Sequence, residues 1–196
     1  MTILSYRKTK RSRIYTPSEC EILPYVMRDR LGLDVEMRKY RIEDHPAIRT
    51  MYDDFEPKGL AMGLPPPDDG VRKRWVDDVV TAFYNFIALR EQKIIGHAAI
   101  DVVRTKASPE YLIFLHQDFR GRGIGTEFSL TVKKICKKLG CRQVWVTVSS
   151  ANTRAINMFK TVGFKFRGPI GVEREMELDL TRKARKKKCS RLRLET

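Results

Sequence analysis

The apolar positions are most regular between Tyr111 and Phe164, and their period changes within that stretch. Tyr111-Leu-Ile-Phe-Leu115 is a continuous apolar run of strand length with aromatic and β-branched content, which predicts a buried strand reaching His116. Beyond it Ile124, Phe128, Val132, Ile135 and Leu139 recur at spacings of four, four, three and four, one face of an α-helix that Gly140 ends. Val144-Trp-Val-Thr-Val148 reads as a strand, Asn152 to Val162 as a helix, and Phe164–Phe166 with Val172–Leu180 as a closing hairpin.

Upstream, Val35 to Arg41 alternates apolar and charged residues as a half-buried strand does. Asp44 then caps a short helix with Pro46 in its first turn, ending near Phe55. Gly59 to Gly70 holds three glycines and three consecutive prolines and is a loop, after which Asp68 or Asp69 caps a helix through Trp75, Val76, Val79, Val80 and Phe83. Asn85–Leu89 and Ile94–Val103 are strands joined by the polar turn Arg90-Glu-Gln-Lys93. Residues 1–34 are weakly periodic and basic at the start, and Pro24 interrupts any helix from Glu19 to Leu31, so no element is assigned there. The order β-α-α-β-β-β-α-β-α-β-β, with no internal repeat, describes one α+β domain over 35–181.

Arg120-Gly-Arg-Gly-Ile-Gly125 lies between the strand and the long helix. The first N–H groups of a helix have no intrahelical acceptor and its dipole adds positive potential, so this turn is an anion site suited to phosphate. A dinucleotide fingerprint would place a third glycine at Thr126 and an acid about 20 residues on, whereas no acid follows Glu127 until Glu173. No Gly-x-x-x-x-Gly-Lys-Ser/Thr string exists either, which disfavours nucleotide hydrolysis.

Composition adjusts this picture in three places. At 196 residues and 42% apolar content the chain suits one domain, no window is apolar enough to span a membrane, and the start lacks the apolar core of a secretory signal, so a cytoplasmic protein is expected. Cysteines 20, 136, 141 and 189 form no Cys-x-x-Cys pair and read as reduced thiols with no metal site. The net charge of +15 divides unevenly: residues 1–13 carry five basic groups, residues 182–196 carry eight basic and one acidic, and +3 is left for 14–181. Such terminal charge runs are expected to be disordered. Within the body, 128–172 holds nine Lys or Arg and no acid, while 43–78 holds nine acids: Glu43, Asp44, Asp53, Asp54, Glu56, Asp68, Asp69, Asp77 and Asp78.

Arg120-Gly-Arg-Gly-Ile-Gly125 resembles the Q/R-x-x-G-x-G/A signature of the GNAT superfamily of acetyl-CoA-dependent N-acetyltransferases. Asn152-Thr-Arg-Ala-Ile-Asn-Met-Phe-Lys-Thr-Val-Gly-Phe164 independently resembles that family's N-x-x-A-x-x-L-Y-x-x-x-G-F segment, and the resemblance covers roughly 35–180. It implies a mixed, mostly antiparallel central sheet flanked by about four helices, and acetyl-CoA as co-substrate. It places the pyrophosphate on the backbone of Arg120, Gly121, Arg122, Gly123, Ile124, Gly125 and Thr126. It places the pantetheine arm beside Phe114, Leu115 and His116, with Asn152 bonded to the arm, Phe159 near the thioester and Leu115 N–H as oxyanion donor.

An amine attacking a thioester needs a base, and Glu110 and His116, on the strand before the turn, are the candidates. His97 reads as a packed strand residue. The family's frequent general acid is a tyrosine where this chain has Phe159, so either Ser149 or Ser150 donates or the thiolate leaves unassisted. In the family the segment after the first strand, here Ile42 to Phe83, covers the acceptor, and its nine acids suggest a cationic amine: a protein lysine, an N-terminus or a small molecule. Two other readings stand beside this one: a nucleic-acid-associated protein, through the Arg182–Arg193 tail, and an acyl-CoA-binding protein without catalysis.

Overall fold

The computed structural model describes residues 22–59, 64–102 and 107–181; both charged tails, Cys20 and Cys189 lie outside them. The elements are β1 (Tyr25–Arg28), β2 (Asp34–Lys39), α1 (His45–Asp53), α2 (Asp69–Ala82), β3 (Tyr84–Arg90), β4 (Lys93–Ile100), β5 (Tyr111–Leu115), α3 (Ile124–Lys138), β6 (Gln143–Ser149), α4 (Thr153–Val162), β7 (Lys165–Arg167) and β8 (Glu173–Asp179). This is the expected mixed α+β architecture, with four α-helices among the described residues. Its strands form two antiparallel sheets, β1-β2-β3-β4-β5 and β6-β8-β7, which meet at one isolated parallel bridge between Glu110 and Trp145.

Two sheet faces are covered for the reason their sequence periods state. The 3-4 spacing of α3 sets Ile124, Phe128, Val132 and Ile135 against Val144, Val146, Phe159 and Met176 in one core. On the opposite face Ile48, Met51, Tyr52 and Phe55 of α1 and its end, with Val76 of α2, close over Ile87, Leu89, Ile94 and Phe114 in a second core. Gly140 ends α3 at φ 79° and Gly163 ends α4 at φ 110°, left-handed positions that glycine fills without a Cβ penalty. The α2 cap is Asp68, whose carboxylate accepts from Val71 N at 2.8 Å.

Two features differ from the sequence reading, and a third, the expected β3–β4 hairpin, agrees with it. Residues Tyr25–Arg28 form a strand paired with Asp34–Lys39, so the sheet begins before residue 35; only Met27 of the four is buried, too little for a periodicity to show. Asp44 stands at the N-cap of α1 but does not cap it, because its carboxylate binds Arg38 at 2.7 and 2.8 Å and Arg41 N at 2.7 Å. Glu91 and Gln92, the β3–β4 turn, both take positive φ, 48° and 67°, the geometry of a tight primed hairpin.

Candidate functional site

In an antiparallel ladder only alternate residues turn their backbone groups to the partner strand. Glu110 O accepts from Asp101 N and His116 N donates to Ile95 O, both at 2.9 Å, so the even-numbered residues of β5 face β4. Tyr111, Ile113 and Leu115 therefore direct their N–H and C=O groups toward β6. In β6, Arg142 O accepts from Leu180 N at 2.8 Å and Ser150 N donates to Val172 O at 2.9 Å, which leaves Gln143, Trp145, Thr147 and Ser149 facing β5. The strands touch at one end, where Gln143 N and Trp145 N both donate at 3.2 Å, to Ala107 O and Pro109 O. Past the Glu110–Trp145 bridge the pairing stops, and Ile113, Leu115, Thr147 and Ser149 line a gap; Leu115 O accepts from Arg120 Nε and Ser149 O from Asn152 N, both at 2.9 Å, so the N–H groups and the Ile113 and Thr147 carbonyls are what the gap offers.

The glycine turn stands at the open end of this gap. Gly121 and Gly123 have φ of 82° and 87°, and Gly123 is the N-cap of α3. Gly123 O accepts from Thr126 N and Glu127 N at 3.1 and 3.2 Å, so the N–H groups of Ile124 and Gly125 emerge at the helix end without an intrahelical acceptor. Gly125 is helical; a Cβ there would only reach ordinary contact with Met158 Cγ at 4.0 Å. Ile124 itself is wholly buried and anchors the helix start.

The two arginines of the turn point elsewhere than into it. Arg120 Nε donates to Leu115 O at 2.9 Å, its Nη2 donates to Glu56 O, and the guanidinium lies 4.9 Å from the Phe55 ring centre. Burial, with Arg154 nearby, moves its pKa below the usual arginine value. Arg122 Nη2 donates to Asp118 O at 2.6 Å and the group stacks on Phe119 at 5.1 Å.

His116 is 1% exposed. Its Nε2 is 2.9 Å from Asp54 Oδ2, and its Nδ1 caps the turn at Gln117–Phe119 by accepting from Asp118 N at 3.4 Å. Gln117 adds two bonds to the same segment, donating to Asp54 O at 2.7 Å and accepting from Glu56 N at 2.9 Å. Residues 116–120 thus clasp the end of α1. Glu110 shares the His116 face of the strand but sits six residues away, about 20 Å at ~3.3 Å per residue, so the two proposed bases do not converge on one centre. Glu110 is at the closed end of the gap and half-buried.

The remaining predicted residues separate into core and rim. Phe114 packs beneath α1 and α2 against Tyr52, Phe55 and Trp75 at 5.4, 5.7 and 5.5 Å between ring centres. Phe159 is 4% exposed and meets Tyr111 at 6.4 Å and Phe164 at 5.3 Å. Tyr111 thereby brings a phenol beside the ring that lacks one; its hydroxyl is 3.0 Å from Ser129 Oγ, and burial pushes its pKa up. Asn152 Oδ1 is committed to Ala155 N at 3.1 Å as the cap of α4. Ser150 Oγ donates to Gly171 O, and Ser149 Oγ accepts from Ala151 N at 3.3 Å.

The acids of 43–78 are largely matched internally, which removes most of the charge excess read from their number. Asp44 pairs with Arg38, Asp53 and Asp69 with Arg72, Asp77 with Arg49 and His45, and Glu56 with Lys58. Among the described residues no group of three His, Cys, Asp or Glu could hold a metal ion, and no helix is long and apolar enough to cross a membrane. Cys136 and Cys141 are buried thiols in mutual contact, and that contact together with burial pushes the Cys136 pKa up.

No curated protein matches the sequence significantly. Solved structures with the same fold include the GNAT domain of S. lividans PAT, 15% identical, with a TM-score of 0.71 over 84% of this chain and 99% of that one. The yncA protein of Salmonella typhimurium, solved with its cofactor acetyl-CoA, is 17% identical with a TM-score of 0.61 over 76% and 96%. A chimera of the Vibrio cholerae spermidine N-acetyltransferase SpeG and hSSAT is 15% identical with a TM-score of 0.57 over 74% and 96%. The model of the Acetyltransferase (GNAT) family matches residues 36–164, a span that holds β5, the glycine turn, α3, β6 and α4. The chain belongs to the GNAT acetyltransferase family, and its activity is acyl transfer.

Proposed function

We propose that the chain transfers acetyl from acetyl-CoA to a primary amine, a protein lysine or N-terminus or a small cationic amine, by direct attack within a ternary complex. The observation that carries this is the gap between β5 and β6, bounded by backbone groups of Ile113, Leu115, Thr147 and Ser149 and ending at the glycine turn. An extended amide-bearing arm fits such a gap because it can exchange backbone hydrogen bonds with both walls, and a pyrophosphate fits the N–H groups of Ile124 and Gly125 beyond it. Acetyl-CoA supplies the activated acyl group; the chain's residues hold it, shield it and move a proton.

The amine must lose its proton, and Glu110 is the carboxylate on the β5 face that α1 and α2 cover. His116 acts instead as a brace, since both ring nitrogens are already engaged. The Leu115 N–H faces the gap but lies five residues from Glu110, about 17 Å at ~3.3 Å per residue, so it suits the arm, and the Ile113 N–H, on the same side and nearer Glu110, suits a developing oxyanion. The cationic preference rests on Asp54 and Asp118, whose side chains remain 67% and 70% exposed beside His116 at the mouth, and not on the paired acids of α1 and α2. Thiol release measured across cationic peptides, polyamines, amino sugars and anionic amines tests the reading. Turnover is expected with the cationic amines; turnover confined to hydroxyl or anionic acceptors overturns it.

A further inference from the structure

The turn between β1 and β2 packs Asp29 and Arg30 against the back of the glycine turn. Arg30 N donates to Arg122 O at 3.0 Å, and Arg30 Nη1 donates to Gly121 O at 3.3 Å. The arginine stem closes the contact, with Cγ and Nε at 3.7 and 3.8 Å from the place a Cβ on Gly123 would occupy. A trans peptide is planar and carries its N–H opposite its C=O. Holding the Gly121 and Arg122 carbonyls toward Arg30 therefore turns the N–H groups of Arg122 and Gly123 away from it. Two glycines at positive φ make this stretch permissive, so an outside constraint is what selects one orientation.

Asp29 makes the constraint rigid. Its side chain is 0% exposed, and its Oδ1 accepts from Leu31 N at 2.8 Å and Leu33 N at 3.0 Å, which fixes the turn that carries Arg30. Its Oδ2 lies 3.8 Å from Arg122 Nη1 and 3.9 Å from Arg90 Nη1. Burial alone would raise this carboxyl's pKa, but the Leu33 and Leu31 N–H groups and the two guanidiniums lower it, so the charge is kept.

We infer that Arg30 is a positioning residue for acetyl-CoA, aiming the Arg122 and Gly123 N–H groups at the pyrophosphate; the inference rests on the reading that the glycine turn holds that group. Arg30 precedes the span matched by the family model, so this brace is supplied by a part of the chain outside it.

The test is titration of CoA and of pantetheine, which lacks pyrophosphate and nucleotide, into the full chain and its Arg30→Ala and Arg30→Lys variants at several ionic strengths. Arg30→Ala is expected to weaken CoA about five- to tenfold, the net worth of one hydrogen bond, while pantetheine binding stays unchanged. Arg30→Lys is expected to recover most of the loss, and the salt dependence of CoA binding in Arg30→Ala is expected to match the wild type. Equal weakening of both ligands, no weakening of CoA, or a salt dependence flattened by Arg30→Ala overturns the positioning role, the last by showing a direct charge contact. A wild-type chain that binds CoA no better than pantetheine overturns the pyrophosphate reading beneath it.

Discussion

The hydroxyl of Tyr52 donates to Nδ1 of His97 across 2.6 Å, and the direction of that bond is fixed by Asn85 on the other side of the ring. Asn85 Nδ2 donates to the carbonyls of Val79, Val80 and Phe83 at the end of α2, so its Oδ1 faces His97 Nε2 at 2.9 Å and must accept. The imidazole proton therefore sits on Nε2, and Nδ1 accepts the phenol. All three residues are buried, and burial lowers the His97 pKa to about 3.

Stability should consequently fall in acid. Between that value and the ordinary histidine pKa of about 6.5 the unfolded chain binds a proton that the native chain refuses, so stability rises with pH at up to ~1.4 kcal/mol per unit and levels off above about 6.5. Chemical denaturation from pH 4 to 7 measures this slope, and His97→Gln is expected to reduce it. An unchanged slope in that variant would assign the acid sensitivity elsewhere.

Glu110→Gln should lower kcat by about 10²-fold or more and remove the acidic limb of the pH–rate profile, with acetyl-CoA affinity unaltered. His116→Asn should do the reverse. It loosens the clasp on Asp54, costing about 1–3 kcal/mol of stability, and leaves the shape of the pH profile intact. Paired pH–rate and melting measurements separate the base from the brace.

Phe159→Tyr should not abolish turnover. The new hydroxyl enters a packed ring cluster beside Tyr111 and costs about 1–3 kcal/mol unless Ser129 or the gap accepts it. A well-folded but inactive Phe159→Tyr protein would show that the bare phenyl ring has a positive role.

The glycines of the turn should respond oppositely to alanine. Gly123→Ala forces a Cβ onto a φ of 87° and should destabilise the fold by about 1 kcal/mol or more. Gly125→Ala lies in the first turn of α3 with room beside Met158, so it should be neutral or stabilise by up to ~1 kcal/mol while raising KM for acetyl-CoA. Melting curves and KM for both variants check the contrast.

Those glycines show what sequence could and could not tell. Strand, glycine turn and helix were legible because hydrophobic period and left-handed turn residues are local properties, and the same holds for the helix ends at Asp68 and Gly140. The partners of the site were not. Whether His116 is exposed depends on Asp54, 62 residues away, and whether the acids of α1 and α2 face a substrate depends on arginines that only tertiary packing brings to them. Arg30 was hidden further, since β1 buries one side chain in four and prints no pattern at all.

The two sheets join at the Glu110–Trp145 bridge and the bonds to Ala107 and Pro109 beside it. Each sheet holds its own ladder over a core the two share, so the amides of Ile113, Leu115, Thr147 and Ser149, which face the gap and not a ladder, are the sites of these strands expected to exchange first with solvent. A ligand bonded to both walls fills that gap. At about a hundredfold excess over its Kd it adds ~2.7 kcal/mol to stability, and its protection should appear on both strands together.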